Sequence, residues 1–139
     1  MSLKLCVLLL AIVISMITTA TMENYTVNLA DNAKLGTYMT NETFFTLYRY
    51  LSDPQDQGIS TCYGACSRNW PPFYTENLTT NPELRSGDFT VITRDDGSKQ
   101  LTYKGWPLYL YAGDTKSNET KGQSMDGVWF VVVPQNLTR

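Results

Sequence analysis

The chain has 139 residues, enough for one domain, and sets 11 Lys and Arg against 13 Asp and Glu. That balance, without a basic stripe, excludes an electrostatic nucleic-acid binder and is too mild for an acidic disordered chain. There is no histidine, which removes Ser-His-Asp and Cys-His nucleophile arrangements and most zinc and copper sites.

Residues 1–20 read as an export signal. Lys4 supplies the positive charge, Leu5 to Ile17 an apolar run, and Thr18, Thr19 and Ala20 the small residues before a cleavage expected after Ala20. The competing reading is an uncleaved anchor, for which the run is short against a hydrocarbon core of ~30 Å. The rest of the chain divides into an N-terminal segment, residues 21–34, and a β domain, residues 35–139.

The periodicity after residue 24 is two rather than 3.6. Tyr25, Val27 and Leu29 alternate with polar residues; Phe44, Thr46, Tyr48 and Tyr50 share one face, and Phe45, Leu47 and Arg49 the other. Cys62 and Cys66 remain after the leader, and in an exported chain they are expected as a disulfide closing a small loop around Gly64. A single helical turn is expected from Pro82 to just before Gly87. Phe89–Thr93 and Gln100–Tyr103 read as strands, joined by a hairpin whose Asp96-Gly97 is a turn signal. Leu108–Ala112 and Val128–Val133 read as two further strands. The fold class is therefore all-β or β-dominated, built from antiparallel strands with one disulfide. Asn-x-Thr sequons stand at Asn24, Asn41, Asn77, Asn118 and Asn136. They point to N-glycosylation and to five surface positions.

The chain also repeats itself. Leu47-Tyr48-Arg49-Tyr50-Leu51-Ser52-Asp53 matches Leu108-Tyr109-Leu110-Tyr111-Ala112-Gly113-Asp114, and a tryptophan, Trp70 or Trp129, follows each aspartate at similar distance. Neither half looks able to bury its aromatic face alone, so one domain of two pseudo-symmetric halves is expected.

Tyr48–Asp53 and Tyr109–Asp114 resemble the secreted repeat family defined by a Tyr-x-[Phe/Trp/Tyr]-x-x-Asp motif, often met as bacterial and archaeal lipoproteins. Thr61–Cys66, Asn69–Pro72, Leu101–Leu108, Lys121–Gln123 and Gly127–Trp129 are similar to further segments of that family. The resemblance spans about residues 35–134 and implies export, a β-rich fold and a disulfide. No lipobox is present, so a lipid anchor does not carry over. Phe130 stands where some relatives have histidine, which weakens any metal or haem role taken from them. Five sequons in such a chain suggest an archaeal source.

Asp53 and Asp114 follow the ends of strands, where a carboxylate accepts hydrogen bonds from turn N–H groups. As a catalytic pair they would have to share a cleft. Asp114, Ser117, Asn118 and Glu119 cluster hard oxygens, but at a spacing that matches no established calcium loop. Tyr63, Trp70, Trp106 and Trp129 are candidate binding aromatics, with Phe73 and Tyr74 beside Trp70, because most lie in Gly- and Pro-rich segments.

The expected function is a secreted, glycosylated cell-surface domain that binds a protein or glycan partner or assembles with itself. In a filament or matrix version the Thr-rich stretch from Thr21 to Met39 would add to a neighbour's edge. The alternative is an envelope redox or electron-transfer protein using Cys62–Cys66, and a hydrolase with paired aspartates is third. No catalytic residue, cofactor, metal or nucleic-acid partner is expected, and membrane contact only through an uncleaved leader.

Overall fold

The computed structural model describes residues 23–134; the leader, Asn136 and the other terminal residues lie outside them. Seven short strands run β1 (Val27–Asn32), β2 (Gly36–Asn41), β3 (Tyr48–Tyr50), β4 (Phe89–Thr93), β5 (Lys99–Tyr103), β6 (Trp106–Pro107) and β7 (Trp129–Val131). One helix, α1, covers Ala65–Asn69. Every ladder is antiparallel, in the sheets β1-β2, β3-β7 and β4-β5-β6. Among the described residues no helix is long and apolar enough to cross a membrane.

Local chemistry sets these elements. Asn32 Oδ1 accepts the amides of Lys34 and Leu35 at 2.8 and 3.3 Å, closing the β1–β2 turn on Gly36. The β4–β5 hairpin closes as expected: Arg94 N donates to Ser98 O, and Gly97 takes the left-handed conformation. Helix α1, which the periodicity does not suggest, starts from Gly64 at positive φ and stops at Trp70, which Pro71 keeps out of the helical conformation.

Other elements differ from the sequence reading. The face from Phe44 to Tyr50 is broken: Phe44 has φ 63°, and only Tyr48–Tyr50 forms a ladder. Leu108–Ala112 forms no ladder either. Tyr109 makes single bridges to Tyr48 on one side and Pro72 on the other. Pro72 and Pro107 have no N–H to continue a ladder in either direction. The turn at Pro82 stops short of a helix, and a 3₁₀ turn forms at Ser86–Asp88 instead. Residues 27–32 and 36–41 pair with each other, with Val27 and Met39 wholly buried, so most of the Thr-rich stretch is already paired within the chain. The expected boundary at residue 35 falls in the turn of that hairpin.

The two halves match through their backbone hydrogen bonds. Met39 N donates to Val132 O, Val132 N to Leu47 O, and Leu47 N to Met39 O, a closed three-membered ring at 2.8–2.9 Å. The second half repeats it: Leu101 N to Phe73 O, Phe73 N to Leu108 O, Leu108 N to Leu101 O. All six residues belong to one apolar core with Val27, Leu84, Phe89 and Tyr103. In each ring one member comes from the tryptophan-bearing segment of the other half. Each repeat is thus completed by its twin.

Candidate functional site

The motif residues sit at the centre of this exchange. Tyr48 and Tyr109 face each other across the pseudo-twofold axis, each amide donating to the other's carbonyl at 2.8 and 2.9 Å. Their side chains cross over. Tyr48 Oη donates to Asp114 Oδ2 and Tyr109 Oη to Asp53 Oδ2, both at 2.6 Å. The remaining carboxylate oxygens accept turn amides: Asp53 Oδ1 from Thr61 N, Asp114 Oδ1 from Lys121 N. Both aspartates are buried. Burial pushes the Asp114 carboxyl above the usual carboxylate range, with the Tyr48 hydroxyl and Lys121 amide pulling the other way. Burial and then the aspartate hydrogen bond push both tyrosines well above their ordinary value.

The second tyrosine of each motif ends a stack. Tyr111 lies on Trp70 (centroids 4.3 Å), Trp70 on Trp129 (3.8 Å, 2° between planes), and Trp129 on Tyr50 (4.2 Å). Trp70 and Trp129, expected as binding aromatics, are 5% and 3% exposed and form core. Phe73 is buried as well. Rings 59 positions apart fill the interior together, a contact that no local pattern discloses.

Cys62 and Cys66 are joined by a disulfide, and Cys62 is wholly buried. Arg94, a hairpin-turn residue by its sequence neighbours, holds this loop. It is 3% exposed and donates to Ser60 Oγ, Gln100 Oε1 and Cys62 O at 2.6–2.7 Å, under the ring of Tyr63. Ser60 in turn bonds Tyr109 Oη. Since Tyr109 gives its own proton to Asp53, Ser60 is the donor here, and the chain Arg94–Ser60–Tyr109–Asp53 links the buried cation to a buried anion. Tyr63 Oη accepts the Asp95 amide, so this candidate is tied into the scaffold too.

Of the sequons, Asn24, Asn77 and Asn118 are exposed. Asn41 departs from the surface expectation. It is 8% exposed, and its Oδ1 accepts from Thr43 N, Thr43 Oγ1 and Phe45 N, which shapes the turn after β2. In the Asp114–Glu119 cluster, Glu119 Oε2 accepts the amides of Thr115 and Lys116, and its other oxygen meets Lys121 at 3.2 Å. Those oxygens shape a loop.

Trp106, of the four candidate aromatics, lines an open cleft. This cleft, of about 350 Å³, runs between β3, the β5–β6 turn and β7, with Arg49, Gln55, Lys104 and Val133 on its walls. The Arg49 guanidinium lies 4.8 Å above the Trp106 ring and 6.0 Å from that of Phe130. It is half-buried and makes no hydrogen bond or ion pair to any described residue. Burial pulls its pKa down, as expected for a cation short of a counter-charge. The turn that carries Trp106 is clamped. Lys104 and Gly105 both have positive φ, Gln55 Nε2 donates to Lys104 O, and Asp56 N donates to Gly105 O. The counterpart clamp is Asn118 N on Phe44 O, and Asp56 and Asn118 have φ 62° and 61°. A second cleft of about 310 Å³ lies beyond the turn, at Asp56, Asp88 and Thr90. Neither Asp53 nor Asp114 lines either cleft.

A duplicated β-repeat with crossed Tyr–Asp pairs and one disulfide defines the class. The chain belongs to the lipoprotein family described as a secreted repeat of unknown function, which matches it twice, over residues 30–74 and 90–133. No curated protein and no solved structure matches it.

Proposed function

We propose that this chain is an extracellular binding domain of the cell surface and that the cleft at Arg49, Lys104 and Trp106 is its recognition site. One observation carries the reading: a half-buried guanidinium centred over Trp106 whose donors meet no acceptor among the described residues. A planar cation fixed in this way is preorganised for a ligand. Comparison of the halves supports it. The positions equivalent to Arg49 and Trp106 are Leu110 and Phe45, and the first half's turn, one residue longer, carries Glu42 and Thr43 where the second has Lys104, so the cations appear on one side of an otherwise symmetric scaffold. Asn24, Asn77 and Asn118 stand clear of this cleft and are the proposed glycan positions, with mass spectrometry of the exported protein as their check.

The test is retention of labelled protein on isolated envelopes of the producing cell. Arg49→Ala and Trp106→Ala are each expected to lower retention at least tenfold; unchanged retention by both variants refutes the site. The alternative, an envelope redox or electron-transfer protein using Cys62–Cys66, draws on the partly exposed Cys66 as the sulfur open to thiolate attack and on the four-ring stack. A reduction potential for Cys62–Cys66 below about −300 mV would mark a structural bond. A value between about −230 and −120 mV would mark a cycling pair and favour the alternative.

A further inference from the structure

Resting on the binding reading above, we infer that the cleft takes a carboxylated saccharide, with the uronate carboxylate on the outward N–H groups of Arg49 and the sugar lying beside Trp106.

A guanidinium carries five donors in a plane that matches a carboxylate bidentately. Arg49 Cζ lies over Trp106 and within 6.0 Å of the Phe130 ring centroid, and the donors are unpaired among the described residues. Among the described residues no acidic side chain lines the cleft to compete for them. Lys104, the second cation, is 3.9 Å from Asp88 and thus already shared. One free fork and one shared ammonium suit a monoanion better than a doubly charged phosphate. Gln55 donates through Nε2 to Lys104 O, which leaves its carbonyl oxygen for a hydroxyl.

The dimensions favour a sugar over a protein. About 350 Å³ falls within the range of small-ligand sites, ~300–1,000 Å³. A stable protein interface needs ~800 Å² from each partner. Among the described residues, Val133 is the one exposed large apolar side chain that borders this cleft; Leu51, Ile59, Tyr74 and Val91 do not.

The experiment titrates the intact protein with short oligomers of galacturonate, glucuronate and mannuronate, and with their carboxyl-reduced counterparts, by tryptophan fluorescence and calorimetry. At least one uronate oligomer is expected to bind, with its reduced counterpart at least tenfold weaker. Arg49→Gln should lose that tenfold preference, and Arg49→Lys should recover only part of it, since lysine restores charge without the fork. Thr90→Ala, in the second cleft, should bind as wild type. Circular dichroism checks that each variant is folded. Equal binding of acid and reduced forms, binding unaffected by Arg49→Gln, or no binding by any uronate oligomer overturns the inference. If retention on envelopes still depends on Arg49 in those cases, only the ligand class falls. If it does not, the binding reading falls as well.

Discussion

Tyr48 and Tyr109 each hold one proton, and each gives it to a carboxylate in the opposite repeat. A buried hydrogen bond to a charged group contributes about 1.5–3 kcal/mol, so Tyr48→Phe and Tyr109→Phe should each cost that order of stability in urea unfolding. Each loses a second partner too: Tyr109→Phe strips Ser60 of its acceptor and cuts the link from Arg94 to Asp53, and Tyr48→Phe strips the Gly122 amide of its acceptor. Both tyrosines keep their protons far above the value in an unfolded chain, ~10. Their stabilisation is therefore whole below that pH and lost above it. Tyrosinate absorbance should show at least two groups that ionise only as the protein unfolds. Asp114 acts in the same sense at lower pH. Its folded pKa is raised by burial, so its contribution is complete below the unfolded value of ~3.9 and declines as pH rises through the folded value. Asp114→Asn, which still accepts from Tyr48, should flatten that part of the stability–pH curve.

Tight packing between elements restricts what their turns tolerate. A Cβ on Gly122 would come 2.6 Å from the Trp70 ring and 2.9 Å from that of Tyr48. Both rings are held by neighbours on their other sides, so Gly122→Ala should destabilise by about 1–3 kcal/mol, read as a lowered urea midpoint. The Cys62–Cys66 bond closes a very short loop, and replacing both cysteines by serine should cost about 2 kcal/mol. Much of this architecture is legible in the sequence: the period of two, the hairpin at Asp96-Gly97, the repeated motif and the cysteine pair. Local signals fail where a long-range contact decides the outcome. Trp70 looks like a loop residue because Pro71 and Pro72 follow it, and Trp129 falls in an expected strand, yet neither pattern discloses that each finds its partner 59 positions away. Arg94 reads as a solvated turn residue, and its burial depends on Ser60 and the Cys62 carbonyl, neither adjacent to it in sequence. Alternation puts Arg49 on the face opposite Tyr48 and Tyr50, but that it lies on Trp106 depends on a clamp reaching from Gln55 and Asp56.

At the scale of the molecule, neither repeat has a closed core of its own. Removing residues 82–134 would take Val132 from the first backbone ring, Asp114 from Tyr48 and Trp129 from the stack. The fragment 23–81 is expected to be unfolded alone by circular dichroism and to regain structure when mixed with 82–139. A fragment that folds unaided would refute the exchange as a condition of stability.

The same exchange describes how such a chain could have begun. Reduced to a single repeat, the arrangement is an isologous dimer, with one tyrosine pairing with its own copy on the axis and each protomer lending a tryptophan segment to the other. A dimer of identical chains cannot alter one side alone, because every substitution appears twice. Joining the two copies on one polypeptide lifts that constraint. Arg49 can then face a counterpart leucine at Leu110, and Arg94 a counterpart asparagine at Asn32, while the axis itself stays symmetric. Duplication would thus have preserved the old contact as a frame and left one flank open to acquire a cleft.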